Sequence, residues 1–167
     1  MINKAANFPQ TYQIQFSFHF DQIQRMLELA HTLPEDVYYA KNDYGHDSIH
    51  NTFAHLLGAT KFWRNVIADT LAPDFASEQI TDIEALTAML ERERIGWPEL
   101  LATFDEVTLL GTITRKSPIG TRVIPIWRTV QHVILHGVQH QTELARLLTE
   151  AGASPGDLDF FWDEAAT

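Results

Sequence analysis

Three histidines spaced four residues apart, His132, His136 and His140, are the side chains of this sequence with the clearest potential for chemistry. Residues four apart lie about 40° apart around an α-helix, so two neighbouring imidazoles on one face can bind the same ion. The first and third of the series are about 12 Å apart along the axis, which excludes one ion held by all three. Neutral imidazole nitrogen binds zinc, nickel, copper and iron(II) well. The spacing therefore predicts a divalent-metal site with two ligands from one helix.

The apolar stripe of this segment indicates which two histidines face the interior. It contains Val133, Gly137, Leu144 and Leu147. His136 and His140 fall within the stripe, whereas His132 lies at its edge. His55 lies on the apolar face of an earlier helical segment, where an unpaired polar ring would cost free energy, and it is the third predicted ligand. Three histidines leave a coordination position for water or substrate, as in catalytic metal sites.

The same histidines have a second interpretation, as buried rings that hydrogen bonds satisfy without a metal. Eight histidines in 167 residues produce some four-residue spacings by chance. His46 and His50 form one such pair, and we interpret them as parts of a surface loop and a helix start. His31 is also predicted to lie on the surface.

Two further side chains are candidates for proton transfer beside the metal. His19 lies on the apolar stripe of the first helical segment, and the alternative is a core histidine satisfied by hydrogen bonds. Glu143 lies one turn beyond His140. It is a candidate hydrogen-bond acceptor for a ligand, a further ligand or a general base, and the alternative is a solvated helix carboxylate.

Four segments with a helical period of apolar residues carry these side chains. They cover about residues 12–33, 48–69, 81–104 and 125–150. Pro34 ends the first segment, Pro125 is predicted as the first residue of the fourth, and Gly152 ends it. Thr81 and Glu84 have the pattern of a capping box at the start of the third segment.

Between residues 106 and 124 the pattern changes to short apolar stretches around Ser117-Pro118-Ile119-Gly120, which predicts a short hairpin or an extended excursion. The tail, residues 154–162, is apolar enough that we expect it to pack on the helices. Helices joined by short loops favour an antiparallel four-helix bundle, whose interior commonly holds metal sites. A length of 167 residues is consistent with one all-α domain over residues 1–167.

Composition excludes several kinds of function. Without cysteine, disulfides, thiolate catalysis and sulfur-ligated metals are excluded. A net charge of −10 without a run of Lys or Arg disfavours nucleic-acid binding. The apolar runs are too short for a membrane span and the N-terminus lacks a secretory signal, so we expect a cytoplasmic protein without a membrane partner. The motifs of serine hydrolases, nucleotide-binding proteins and zincins are absent from the sequence.

These patterns together resemble the DinB/YfiT-like superfamily of bacterial four-helix metalloproteins, over nearly the whole chain. Residues 48–63, around His55, resemble the first ligand segment of that family. A histidine followed by His-x-x-x-His, at residues 132–140, resembles its later signature. Residues 152–160 resemble its closing segment.

The resemblance implies the bundle fold, His55, His136 and His140 as metal ligands, and a homodimer formed through helix faces. The apolar surface predicted to be available for that contact comprises Trp127, Ile134 and Val138. Many family members carry Arg-Gly-Gln after the last histidine, where this chain has Gln-Thr-Glu at residues 141–143. An arginine contact to substrate is therefore not implied at that position.

The resemblance also implies a metal-dependent enzyme of the thiol-dependent S-transferase or isomerase type. Because the chain has no cysteine, the low-molecular-weight thiol would be a co-substrate. Metal-assisted hydrolysis is the neighbouring hypothesis. Zinc and nickel are the favoured ions and iron is the further candidate, since nitrogen ligands alone do not select among them. The alternative function is a non-catalytic, metal-binding stress-response bundle, and a DNA-repair binder is disfavoured by the charge.

Overall fold

The computed structural model describes residues 8–68, 80–117 and 120–162, which are mostly helical. The elements are α1 (Phe8–Ala30), α2 (Glu35–Tyr38), α3 (Ile49–Ile67), α4 (Ile83–Ala102), α5 (Glu106–Leu110), β1 (Thr112–Ser117), β2 (Gly120–Pro125), α6 (Ile126–Glu150) and a 3-10 turn, Phe160–Trp162. Helices α1 and α3 each pack against both α4 and α6. The four predicted helices and the predicted hairpin are present, together with two short helices, while the antiparallel bundle arrangement stays a prediction.

Helices α3 and α4 each begin at a side chain that accepts a backbone N–H of the first turn, which would otherwise lack a partner. Ser48 has this role in α3, and the Asp82 carboxylate accepts from the Ala85 N–H at 2.8 Å in α4. The predicted capping box of Thr81 and Glu84 is wrong. The Asp82 carboxylate takes the N-cap position, and the Thr81 hydroxyl donates to it at 2.9 Å.

The largest difference between predicted and observed helix ends is in α1, which begins at Phe8 and ends at Ala30. Its end is set at Thr32, whose hydroxyl and N–H both donate to the Leu29 carbonyl, at 2.7 and 3.0 Å, and so close a tight turn. The ends of the other long helices lie within two residues of the predicted ones, except that predicted residue 69 lies outside the described residues.

The core lies between the four long helices and is rich in aromatic rings. Phe16 of α1 stacks on Trp97 of α4, with ring centroids 4.3 Å apart, and both side chains are fully buried. The predicted inner face of α1 is confirmed, since its residues are all buried. They are Phe16, His19, Phe20, Ile23, Met26, Leu27 and Ala30.

A bidentate ion pair connects α3 to α4 at the edge of this core. The Arg64 guanidinium donates to both carboxylate oxygens of Glu93, at 2.7 and 2.9 Å, and Glu93 is only 1% exposed. The guanidinium lies directly over Gly96, where a Cβ would come within 2.8 Å of its Cζ. Because Gly96 has no side chain, the Arg64 guanidinium has room to pair with the buried Glu93 carboxylate.

Helices α1 and α6 approach closely where His19 lies over Gly137. A Cβ at Gly137 would overlap the Cε1 of His19 and would lie 2.7 Å from its Nδ1. His19 is also held by Gln141, whose amide donates to the His19 carbonyl at 2.9 Å. The absence of a side chain at Gly137 therefore sets the distance between these two helices.

The outer face of α6 differs from the prediction at one position. Trp127 and Val138 are exposed, at 44% and 49%, but Ile134 is 8% exposed and belongs to the core. Leu135, 61% exposed, contributes to the apolar outer face instead. This shift follows from α6 contacting both α1 and α3, which covers a wider part of its circumference than one helix would.

The hairpin and the tail complete the structure around α6. Strands β1 and β2 pair antiparallel, with Arg115 directly opposite Arg122. The tail packs on α1 as predicted, because Phe160 contacts Phe18 edge to face at 5.1 Å. Within the described residues, no helix combines the length and apolar character that crossing a bilayer requires.

The contact between α1 and α6 predicts opposite effects for the same substitution in two helices. Gly137→Ala places a methyl group against the His19 ring and should lower the free energy of unfolding by about 1–3 kcal/mol. Gly58→Ala in α3 meets no atom within 4 Å and should raise it by up to about 1 kcal/mol through helix propensity. Urea unfolding followed by circular dichroism measures both. Equal effects of the two substitutions would contradict the close approach at Gly137.

Candidate metal centre

Three imidazole nitrogens converge between α3 and α6. The Nε2 of His136 lies 3.0 Å from the Nε2 of His140 and 3.3 Å from the Nε2 of His55. His136 and His140 follow one another by one turn of α6, and His55 faces them from α3. The sequence-predicted ligands are therefore brought together.

The spacing of these nitrogens is compatible with a shared ion. Metal–nitrogen bonds of about 2.0–2.1 Å in tetrahedral geometry separate two ligand nitrogens by about 3.3–3.4 Å. The separation of His55 and His136 lies in this range, and that of His136 and His140 requires a small opening. Without an ion, a protonated nitrogen can donate its hydrogen to only one neighbour. At least one of the three nitrogens then lacks a hydrogen-bond donor, unless another group reaches it. The donor set therefore fits a divalent cation.

A fourth imidazole, His46, belongs to the same cluster. Its ring stacks on His55 with centroids 3.8 Å apart and lies 5.1 Å from the His140 ring. Nitrogen atoms of His46, His55 and His140 lie within 4.8 Å of one another, a group able to hold a metal ion. His46 lies in a loop as predicted, but its ring is half-buried against His55 and not on the surface. Asp47, at φ 70°, and the bond from the Asn42 N–H to the Asp47 carbonyl shape this loop.

His50 is buried rather than on the surface, which corrects the second half of that pair. Its Nε2 lies 3.0 Å from the Ile80 carbonyl, which can only accept, so this nitrogen carries the proton. Its Nδ1 then accepts from the Tyr38 hydroxyl at 3.0 Å. Burial is the main cause that raises the pKa of Tyr38, so this hydroxyl remains a donor. Both nitrogens are used, and His50 is a structural histidine. His31, by contrast, is exposed as predicted.

Glu143 orients the His140 ring. One carboxylate oxygen lies 2.7 Å from Nδ1 of His140, and the other accepts from the Gln139 amide at 3.2 Å. Burial opposes the ionised carboxylate, but the hydrogen bonds from His140 and Gln139 outweigh it and lower the pKa of Glu143. An ionised acceptor at Nδ1 places the proton there and leaves the Nε2 lone pair of His140 directed at the cluster.

His19 lies over Gly137, where α1 contacts α6, and is 2% exposed. Its Nδ1 is 3.0 Å from the Gln141 amide nitrogen, so this nitrogen accepts and Nε2 carries the proton. Among the described residues, Nε2 has no hydrogen-bond partner. Burial, with a smaller effect from His136, lowers the pKa of His19 to about 4. None of the described ring or hydrogen-bond contacts of His19 is with the clustered imidazoles, and its proposed part in proton transfer stays a prediction.

His55 and His136 are uncharged at neutral pH. Burial is the main cause that lowers the pKa of His55 and of His136 to about 4, and the neighbouring imidazoles lower it further. A neutral ring keeps a lone pair available for a cation. Burial likewise lowers the pKa of His46.

His132 lies at the outer edge of the cluster, as its place on the helix predicted. Its ring centroid is 5.5 Å from that of His136 and 5.5 Å from that of Trp63. Trp63 is half-buried and packs on the core with one side. His132 and Trp63 also line a surface cleft beside the β1–β2 hairpin, so they lie between this cleft and the imidazole cluster.

Fold and site together define a mostly helical protein with a group of histidines able to hold a divalent metal ion. The known family that matches this chain is the DinB family, over residues 1–167. The chain therefore belongs to the DinB family, and the resemblance inferred from its histidine-bearing segments is confirmed. No curated protein gives a significant match to this sequence.

The lowered histidine pKa values predict that acid destabilises the metal-free protein. His19 has a pKa of about 4 in the folded protein and the ordinary value of 6.5 when the chain is unfolded. Between these two pH values, the folded protein therefore binds fewer protons than the unfolded chain. Stability is therefore complete above about pH 6.5 and falls as the pH is lowered to about 4. His19→Asn should reduce the slope of unfolding free energy against pH in this window by up to about 1.4 kcal/mol per pH unit.

Chemical unfolding in chelator at several pH values measures this slope. The matched control is His31→Asn, which removes one exposed histidine from the turn after α1 and creates no buried space. A slope unchanged by His19→Asn would contradict the buried, neutral state of that ring.

Proposed function

We propose that this chain is a metal-dependent enzyme of the DinB family in which His55, His136 and His140 bind one divalent ion. The observation that carries the proposal is the approach of the His136 Nε2 to the Nε2 of His140, at 3.0 Å, and to the Nε2 of His55, at 3.3 Å, in a partly buried cluster. When bound, a divalent ion polarises a substrate oxygen or stabilises the anion of a bound water or thiol at neutral pH. The imidazoles hold it, and Glu143 keeps the tautomer of His140 that coordination needs.

The favoured ions are zinc and nickel, with iron as the further candidate, because all three accept neutral nitrogen ligands. The substrate is proposed to be a low-molecular-weight thiol or its conjugate, in an S-transfer or isomerisation, with metal-assisted hydrolysis as the neighbouring reaction. Since the chain has no cysteine, the thiol comes from the co-substrate. We also propose a homodimer, supported by the exposed apolar side chains of Trp127, Leu135 and Val138 on α6.

His46 supports a second candidate function, a non-catalytic site in which the metal only stabilises the fold. Four imidazoles around one ion would complete a tetrahedral, closed site, as in structural metal sites. His46 belongs to a loop instead of a long helix, so its position depends on the loop conformation. We therefore propose that His46 lies beside the open position and yields it to substrate.

Metal affinity should separate the ligands from their neighbours. His136→Ala should weaken Zn²⁺ binding at least about 100-fold, whereas Glu143→Gln, which removes only a supporting charge, should weaken it about 10–100-fold. His132→Ala, at the cluster's edge, is the matched control on the same helix and should change affinity little. Competition with a chromophoric chelator measures all three. Equal affinity of the His136→Ala and His132→Ala proteins would contradict the proposed ligand set.

The open position is tested by loading the protein with Co²⁺ and adding azide or a small thiol. Binding to the ion should change the visible absorption spectrum in the native protein, and His46→Ala should change this response modestly. If the native protein resists both ligands and only His46→Ala admits them, the site is closed and the non-catalytic function is favoured. Turnover of thiol conjugates and of ester and amide panels by Zn²⁺- and Ni²⁺-loaded protein, lost in His136→Ala, then tests the reaction itself.

A further inference from the structure

A cleft between the hairpin and α6 is lined by positively charged side chains that are not part of the imidazole cluster. Its volume is about 450 Å³, in the range of small-molecule sites. It is lined by Trp63, Arg122, Val123, Ile124, Pro125, Arg128, Thr129 and His132. Apolar side chains and an indole thus form one part of the wall, and two guanidinium groups form another.

The arginines of this cleft lack acidic partners in a protein with an excess of acid. The chain has 22 Asp and Glu against 12 Lys and Arg. Elsewhere, Arg64, Arg94 and Arg146 form ion pairs with Glu93, Asp21 and Glu150. In the part of the chain that the structure describes, neither Arg122 nor Arg128 has such a pair. Two unpaired cations at one cleft provide a binding site for an anion.

A third arginine adds to the same positive region. Arg115 lies directly opposite Arg122 in the β1–β2 register, an arrangement in which like charges destabilise a hairpin. The Arg115 guanidinium lies 4.9 Å from the Phe62 ring centroid and 5.4 Å from that of Trp63. Opposed side chains share one face of a hairpin, so Arg122 lies on the same side as Arg115, towards Trp63. A bound anion between the arginines would relieve the repulsion.

The cleft borders the imidazole cluster at His132. His132 and Trp63 line the cleft, and the His132 ring lies 5.5 Å from that of His136. A small molecule held at Arg122 and Arg128 would therefore lie beside the ring that separates the cleft from His136.

We propose that this cleft binds the carboxylate of a small organic anion and thereby selects anionic substrates for the adjacent site. Guanidinium groups bind carboxylates through paired hydrogen bonds, and the apolar wall of Val123 and Ile124 contacts the carbon skeleton. The net charge of −10 and the size of the cleft disfavour a polyanion such as nucleic acid. The selection of anionic substrates rests on the proposed function, because it needs a reacting metal site next to the cleft. Anion binding in the cleft does not depend on that function.

Glutarate is the probe, and calorimetry on the full-length chain in chelator is the measurement, so that no ion contributes to binding. Arg122→Gln and Arg128→Gln should each weaken glutarate binding about tenfold or more, as expected for the loss of one charge-assisted contact. Arg92→Gln, an exposed position on α4, makes the same change in net charge and should leave binding within about twofold at 0.15 M salt, where a distant charge is screened. Glutaramide, which has the same skeleton without charge, should bind at least about tenfold more weakly than glutarate.

Equal binding of glutarate and glutaramide, equal effects of the Arg92 and Arg128 substitutions, or inorganic phosphate binding as tightly as glutarate would each overturn the proposal. His136→Ala separates this proposal from the metal site. That protein should lose Zn²⁺ binding and keep glutarate binding in chelator, while Arg128→Gln should keep Zn²⁺ binding. Loss of glutarate binding in His136→Ala at unchanged thermal stability would place the anion at the imidazoles instead and contradict the cleft assignment.

Discussion

The constraint on which this site depends is that several imidazoles remain uncharged in one small space. Protonated rings at the separations of His55, His136 and His140 would repel one another, and burial already lowers the pKa of His55 and His136 to about 4. The neutral rings present lone pairs to a common point, which is unfavourable unless a cation or a donor occupies it. Glu143 completes this arrangement by supplying a negative charge outside the cluster, at Nδ1 of His140. The cluster is thus prepared for positive charge at its centre.

The position of the cluster depends on how closely α1 approaches α6. Gly137 lies between the two α6 ligands, and the His19 ring occupies the space where its side chain would be. This contact, with the bond from Gln141 to the His19 carbonyl, holds the rotation of α6 so that His136 and His140 face α3. The sequence predicted the four-residue spacing, the apolar stripe and the glycine within it, because these follow from helix geometry. It did not predict the contacts of His19 with Gly137 and Gln141, which join segments distant in the chain.

The features that the sequence could not reveal depend on contacts between distant segments or on loop conformation. His46 reaches the cluster only because Asp47 adopts φ 70° and the loop folds back over α3. His50 becomes a core residue through the Ile80 carbonyl, thirty positions along the chain. Its spacing from His46 therefore had no meaning for metal binding. The hairpin was predicted, but its strand register was not. That register places Arg115 opposite Arg122, and a short polar segment specifies its register only weakly.

The neutral cluster and the cationic cleft are electrostatically coupled by their proximity. With the cluster uncharged, the positive charge near an anion in the cleft comes from Arg122 and Arg128, with Arg115 opposite Arg122. A divalent ion between His136 and its neighbours would add positive charge close to the same cleft, where one local ion dominates the field. An anion would then bind more tightly to the metal-bound protein, and by thermodynamic reciprocity it would strengthen metal binding by the same factor. If both ligands bind as proposed, the position of Arg122 and Arg128 beside His132 and His136 makes the affinity for one ligand depend on the presence of the other.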